Sequence, residues 1–246
     1  MPATVPAMAS EQRQLWGVLE PYHAMVYFAP EAMENYRAAG LKGFWMGYFA
    51  SRSAAFGPAT PELVIATFYN FNPAMVRRAI PDAWSFATPQ SVLDARHRGA
   101  DACLARLLGA GVDDGILAEA AGIAREAALA CDPSGRALFA AHASLPWPEA
   151  PRMALWHAAT LLREHRADGH IAALLAEGVN GVQAHVLQVA RRRMPREIIE
   201  PARGWNEATW NAETESLRGR GWLDATRLRP DCRRSGQCRS GTCVQK

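Results

Sequence analysis

The sequence predicts a mostly α-helical chain of two similar halves joined by a helical segment, and three observations lead there. Alanine-rich runs such as AEAAGIAREAALA (residues 118–130) favour helix. Few segments alternate apolar and polar residues with a period of two, so sheet is a minor component. A block in the first third of the chain recurs near its end, which is the signature of an internal repeat.

The first copy reads AGLKGFWMGYFASRSAAFGPATPELVIATFYNFNPAMV (Ala39–Val76), and the second EGVNGVQAHVLQVARRRMPREIIEPARGWNEATW (Glu177–Trp210). Gly40 and Gly43 correspond to Gly178 and Gly181, each pair opening an apolar helix. Pro61 corresponds to Pro195, and ten residues after each proline stands an aromatic, Phe71 or Trp205, followed at once by Asn72 or Asn206. A proline costs little near the start of a helix, where its missing N–H has no partner in any case. An asparagine caps a helix through its side-chain oxygen. The unit is therefore three helices, with an aromatic plugging the turn before the third.

Four segments follow: 12–88 as the first half, 89–150 as a helical connection with proline-bounded ends, 151–229 as the second half, and 230–246 as a disordered basic tail containing cysteines. With 49% apolar and 21% charged residues the chain is globular, and 246 residues suffice to bury a core. Residues 1–190 carry 14 Lys+Arg and 17 Asp+Glu, whereas residues 191–246 carry 13 and 7. A basic end on a weakly acidic body suits a polyanionic partner, and it equally describes a solvated tail.

The N-terminus lacks the charged-then-apolar pattern of a secretory signal, and no run of about 18 apolar residues predicts a membrane span. A cytoplasmic protein with no membrane partner is the expectation. Cys103 and Cys131 sit in helical patterns as small reduced apolar residues. Cys232, Cys238 and Cys243 are separated by five and four residues without a nearby histidine, which is a weak zinc pattern, so no metal is expected. There is no GxSxG elbow, P-loop or dinucleotide-binding glycine motif, and no catalytic residue or cofactor is assigned. His142 and Ser144 are close in sequence, which alone does not make a catalytic pair.

After the second copy, NEATWNAETESLRGRGWLDATRLRP carries an apolar stripe ended by Gly219 and Gly221 and then a short polar stretch, as in a helix leading into a β-wing. Helix, turn, helix and wing together describe a winged helix-turn-helix in each half. At this point the chain resembles the MarR-like winged-helix group and, more closely, an actinobacterial helix-turn-helix family. The strings that carry this are EPYHAMVYFAPE, GFWMGYFASR, ATFYNF, LFAAHASLPWP, LWHAATLLREHRADGH and RGWNEATW, and the likeness covers nearly all of residues 12–225. The resemblance implies the fold and little chemistry. The chain departs from it at RLRPDCRRSGQCRSGTCVQK, which has no apolar period where the family runs into a further helix.

For double-stranded DNA, phosphate contacts are expected from Arg191, Arg192, Arg193, Arg196, Arg227 and Arg229, and groove contacts from Asn206, Thr209 and Asn211. The candidate recognition helix, Asn206–Arg220, has a net charge of −1, which opposes attraction to phosphate. That leaves a second reading open: a winged-helix scaffold repurposed to bind or transform a small molecule.

The candidates for that role are His23, Tyr27, Tyr48, His157, Arg163, His165 and His170, lining a cleft between the halves or forming a self-satisfied polar seam. At 100° per residue His157, Leu161, Glu164 and Asp168 share one helix face, and Ala167-Asp168-Gly169 reads as a break. Leu15-Trp16 and Leu155-Trp156 open two comparable helices that would meet centrally in a pseudo-dimer within one chain, with homo-oligomers allowed.

Overall fold

A computed structural model describes residues 8–224 and 227–228. Among them the α-helices are α1 (Met8–Ala24), α2 (Pro30–Ala38), α3 (Gly43–Ser53), α4 (Pro61–Phe68), α5 (Pro73–Arg77), α6 (Ala83–Phe86), α7 (Pro89–Leu108), α8 (Asp114–Leu129), α9 (Ala137–Ala143), α10 (Pro151–Ala176), α11 (Gly181–Ala190), α12 (Arg196–Ala202) and α13 (Glu207–Gly219). The strands β1 (Leu223–Asp224) and β2 (Arg227–Leu228) pair antiparallel, Leu223 opposite Leu228. The protein is mostly α, as the sequence predicts. The expected tail, 230–246, and Arg229 lie outside the described residues.

Local chemistry explains many helix starts. Thr88 caps α7 by accepting from the Ser91 amide, with Pro89 in the first helical position. Asp113 caps α8 through the amides of Gly115 and Ile116. Asn180 and Gln183 form a reciprocal capping box at the start of α11.

The contacts divide the chain into two compact units. Among the described residues, unit 1 comprises 8–67 and 76–173, and unit 2 comprises 68–75, 174–224 and 227–228. The segments drawn from the sequence do not coincide with these units, because Phe68–Met75, from the first copy, belongs to unit 2. In unit 1, α7 packs against α2 and α3. Its apolar residues Val92, Ala95, Ala100, Cys103 and Leu104 are buried. In unit 2 the core is Val182, Val186, Ala190, Ile199, Trp210, Leu217 and Leu223.

The two copies match at their starts and diverge at their ends. Gly40 and Gly178 both adopt positive φ, at 101° and 59°, and α3 and α11 begin at the expected glycines. Asn72 accepts from the Ala74 amide and Asn206 from the Thr209 amide. The third helix, however, is five residues in the first copy and thirteen in the second.

The break expected at Ala167-Asp168-Gly169 is not formed, and α10 runs unbroken for 26 residues. Asp168 accepts instead from the Phe139 amide, at the start of α9, at 3.0 Å. Gly169 leaves room for Arg136: a Cβ there would lie 1.6 Å from the Arg136 guanidinium, which donates to the His165 carbonyl at 2.8 Å. The glycine serves a close tertiary approach rather than a helix end.

Candidate functional site

Two sets of residues carry chemistry, one in each unit. In unit 1, α1 and α10 meet as their matching Leu-Trp starts suggest, but within one compact unit rather than at a seam between two halves. The Tyr22 hydroxyl donates to the Arg152 carbonyl at 3.0 Å, and the Trp156 indole N–H donates to the His23 carbonyl at 3.3 Å.

His23 is fully buried and its ring is satisfied at both nitrogens. The Thr160 hydroxyl gives its proton to the Trp156 carbonyl at 2.9 Å. His23 Nδ1–H therefore donates to Thr160 Oγ1 at 2.9 Å, and Nε2 accepts from the Tyr27 hydroxyl at 2.7 Å. Burial first, and then the charges of Arg163, Arg96 and Arg52, hold this imidazole well below its usual range, so it is neutral.

Around His23 lies a charged network. Arg52 donates to Glu164 Oε1 and Oε2 and to the Tyr48 hydroxyl, and Arg163 bridges Glu164 and Glu20 at 2.9 and 3.2 Å. Burial pushes the Glu164 carboxyl up, but Arg52 and Arg163 outweigh it and hold it at about 2. Burial likewise raises Glu20 against the pull of Arg163.

Unit 2 presents the other set. Residues of α11 pack against α12 and α13, and the β1–β2 ribbon follows α13 and contacts both α13 and α11. Trp210, Leu217 and Leu223 anchor this packing from the inside. On the outside of α13, Asn211, Ala212, Glu215 and Ser216 are exposed, as are Arg191, Arg192 and Arg193 after α11. Three helices with a tight turn before the third, followed by a short ribbon, form the local geometry of a helix-turn-helix. A model of a helix-turn-helix family matches residues 12–236 of the chain.

The chain belongs to this helix-turn-helix family. No curated protein and no solved structure matches it.

Within this helix-turn-helix protein the expected DNA-contacting residues have unequal roles. Arg196 is bound to Glu200 and lies over Trp210, 5.4 Å from its ring centre, with its side chain one-third exposed. Asn206 is exposed but spends its side-chain oxygen on capping α13, and Thr209 is half-buried beside it. The basic residues at the C-terminal end of α13 and just after it are also engaged. Arg218 pairs with Glu215, while Arg220 donates to the carbonyls of Gly178 and Glu177 and lies over Trp222. Arg227 lies on β2.

The expected ligand residues fall into separate places, all of the described ones in unit 1. His23, Tyr27, Tyr48 and Arg163 belong to the buried network. His157 lies elsewhere, edge-on to Trp147 at 4.7 Å, and burial followed by Arg96 holds it at about 4. His165 is half-buried against Phe139, and His170 is exposed. The cleft expected between halves is thus replaced by groups inside one unit, because α1 and α10 pack together there.

His142 and Ser144 are not paired. His142 Nε2 faces the Arg52 carbonyl at 3.3 Å, and Ser144 donates to the Ala141 carbonyl. Among the described residues no three His, Cys, Asp or Glu side chains are placed to hold a metal ion, and no helix is long and apolar enough to cross a membrane.

Sequence reasoning missed Arg52, Arg96 and Thr160. One signal was available for Arg96, which falls four residues after Val92 and four before Ala100, inside the apolar stripe of α7.

Proposed function

We propose that the protein is a DNA-binding regulator of MarR-like winged-helix type, in which α13 approaches the groove and the β1–β2 ribbon acts as a wing. The observation that carries this reading is the exposed Arg191–Arg192–Arg193 turn beside a helix-turn-helix whose outer face bears Asn211 and Ser216. The three guanidiniums supply attraction to phosphate, and the polar groups on α13 supply hydrogen bonds to base edges.

The test is titration with mixed-sequence duplex at several salt concentrations, comparing the wild type with the triple variant Arg191→Ala, Arg192→Ala, Arg193→Ala. Each lost phosphate contact lowers the salt slope by about 0.9, so the triple variant should bind with a slope about 2 to 3 smaller. No duplex binding by the wild type at low salt, or an unchanged slope, removes this reading.

A second reading, a helix-turn-helix scaffold turned to small-molecule binding, is favoured by a separate observation. The helix α13 carries three acids, and both of its basic neighbours, Arg218 and Arg220, are already engaged within the protein.

A further inference from the structure

The turn that closes α11 departs from local preference at two successive residues. The Arg193 N–H donates to the Gln188 carbonyl at 3.1 Å, and the Arg192 N–H to the Val189 carbonyl at 2.8 Å. This pair of bonds is the Schellman end of a helix, which favours glycine at its left-handed residue and an apolar side chain just after it. Here both positions are arginine. Arg192 takes the left-handed backbone, with φ at 55°.

That conformation crowds the Cβ of any residue with a side chain against the following carbonyl oxygen. Among the described residues every other positive-φ position is a glycine except Tyr69. Tyr69 is held there by contacts of its own. Its hydroxyl donates to the Val179 carbonyl at 2.5 Å, and its backbone carbonyl lies against Gly181, where there is no side chain. The corresponding turn of the first copy, between α3 and α4, places Gly57 at positive φ, 80°.

The Arg192 side chain has no such anchor. Arg191, Arg192 and Arg193 are all exposed. Arg196, Arg218 and Arg220 are each engaged within unit 2, whereas among the described residues no carboxylate or carbonyl oxygen meets the Arg192 guanidinium. Attraction to the carbonyl end of α11 does not require this position either, since Arg191 has it with φ at −81°. A residue held in an unfavourable conformation without an internal contact directs attention to a partner outside the chain.

We propose that Arg192 is a phosphate anchor of the nucleic-acid face, an arginine standing at the left-handed residue where glycine would make the fold more stable. Two hydrogen bonds tie its backbone to the last turn of α11, so the guanidinium is presented from a rigid base. A guanidinium forks onto two phosphate oxygens, and a phosphate contact carries no base information, so the anchor is indifferent to sequence. This inference rests on the nucleic-acid reading.

The test measures stability and duplex binding in two variants of the full chain. Arg192→Gly removes both the crowding and the charge, and Arg192→Ala removes the charge alone. In urea denaturation Arg192→Gly should unfold at a higher midpoint than both the wild type and Arg192→Ala. In duplex titrations both variants should show a salt slope about 0.9 smaller than the wild type. Their loss of affinity at low salt should be the same factor on two duplexes of unrelated sequence. A wild type that binds neither duplex at low salt removes the nucleic-acid reading itself. With wild-type binding present, an unchanged slope in Arg192→Gly, a midpoint no higher than that of the wild type or of Arg192→Ala, or a loss confined to one sequence overturns the anchor alone.

Discussion

Arg52 clasps both carboxylate oxygens of Glu164 at 3.2 Å through one guanidinium nitrogen, with side chains only 9% and 1% exposed. The two residues are 112 positions apart and join α3 to α10 inside unit 1. Arg163 and Tyr48 complete the shell, so each charge is met by more than one neighbour.

Neutralising this carboxylate leaves the buried Arg52 guanidinium without its counter-charge and Arg163 with Glu20 alone. Glu164→Gln should destabilise the fold by about 3–5 kcal/mol. Urea denaturation measures it, and a loss below about 1 kcal/mol would show that solvent reaches the pair more freely than its burial implies.

Acid should weaken the fold well above the range where carboxylates titrate. Burial first, then Arg96 or Arg203, holds His157 and His185 at about 4, and burial followed by Arg96 holds His142 at about 3. The unfolded chain protonates these rings near 6.5 and the folded chain does not, so their stabilisation is whole above pH 6.5 and drains away as pH falls. Glu164 acts over a lower window: its contribution is present above pH 4.5 and lost as pH falls through about 2. Each differential proton steepens the decline by about 1.4 kcal/mol per pH unit. Denaturation series between pH 7 and 4 should show this slope, and it should be shallower in His157→Gln; identical slopes would contradict it.

Gly181 opens α11 where no side chain fits. A Cβ there would lie 2.5 Å from the Tyr69 carbonyl oxygen and 2.8 Å from the Asn70 Cα. The Asn70 carbonyl in turn accepts from both His185 and Trp205, at 3.1 Å each. Gly181→Ala should therefore cost about 1–3 kcal/mol by forcing this segment away. Thermal unfolding followed by tryptophan fluorescence reports on it through Trp205.

Glu215 sits exposed on α13 and engages Arg218. Glu215→Gln removes a charge that repels phosphate and releases a guanidinium. Duplex binding should tighten roughly two- to fivefold at low salt, and the gain should shrink as salt rises. Weaker binding would place α13 away from the nucleic acid.

Much of the fold could be read from spacing alone. His157, Leu161, Glu164 and Asp168 are all buried along one face of α10, as the 100° rotation per residue requires. The caps at Asn206 and Asn72 and the glycine starts of α3 and α11 followed from local chemistry, which the neighbouring residues carry in full. The unbroken run of α10 did not, because the reason for Gly169 is Arg136, a residue from a different helix. Arg96 escaped notice for a similar reason. A charged residue in an apolar stripe reads as a helix edge until the indole of Trp156 is seen beside it.

The placement of Phe68–Met75 in unit 2 has a consequence for how the protein is made. Those eight residues leave the ribosome about a hundred residues before the rest of their unit, flanked on both sides by chain that belongs to the other one. Until Gly181, His185 and Trp205 have been synthesised, the Asn70 carbonyl has neither of its eventual donors. Nor can a single cut separate the units: a fragment beginning at Leu174 would lack this segment, and a fragment ending at Ala173 would carry it without its partners.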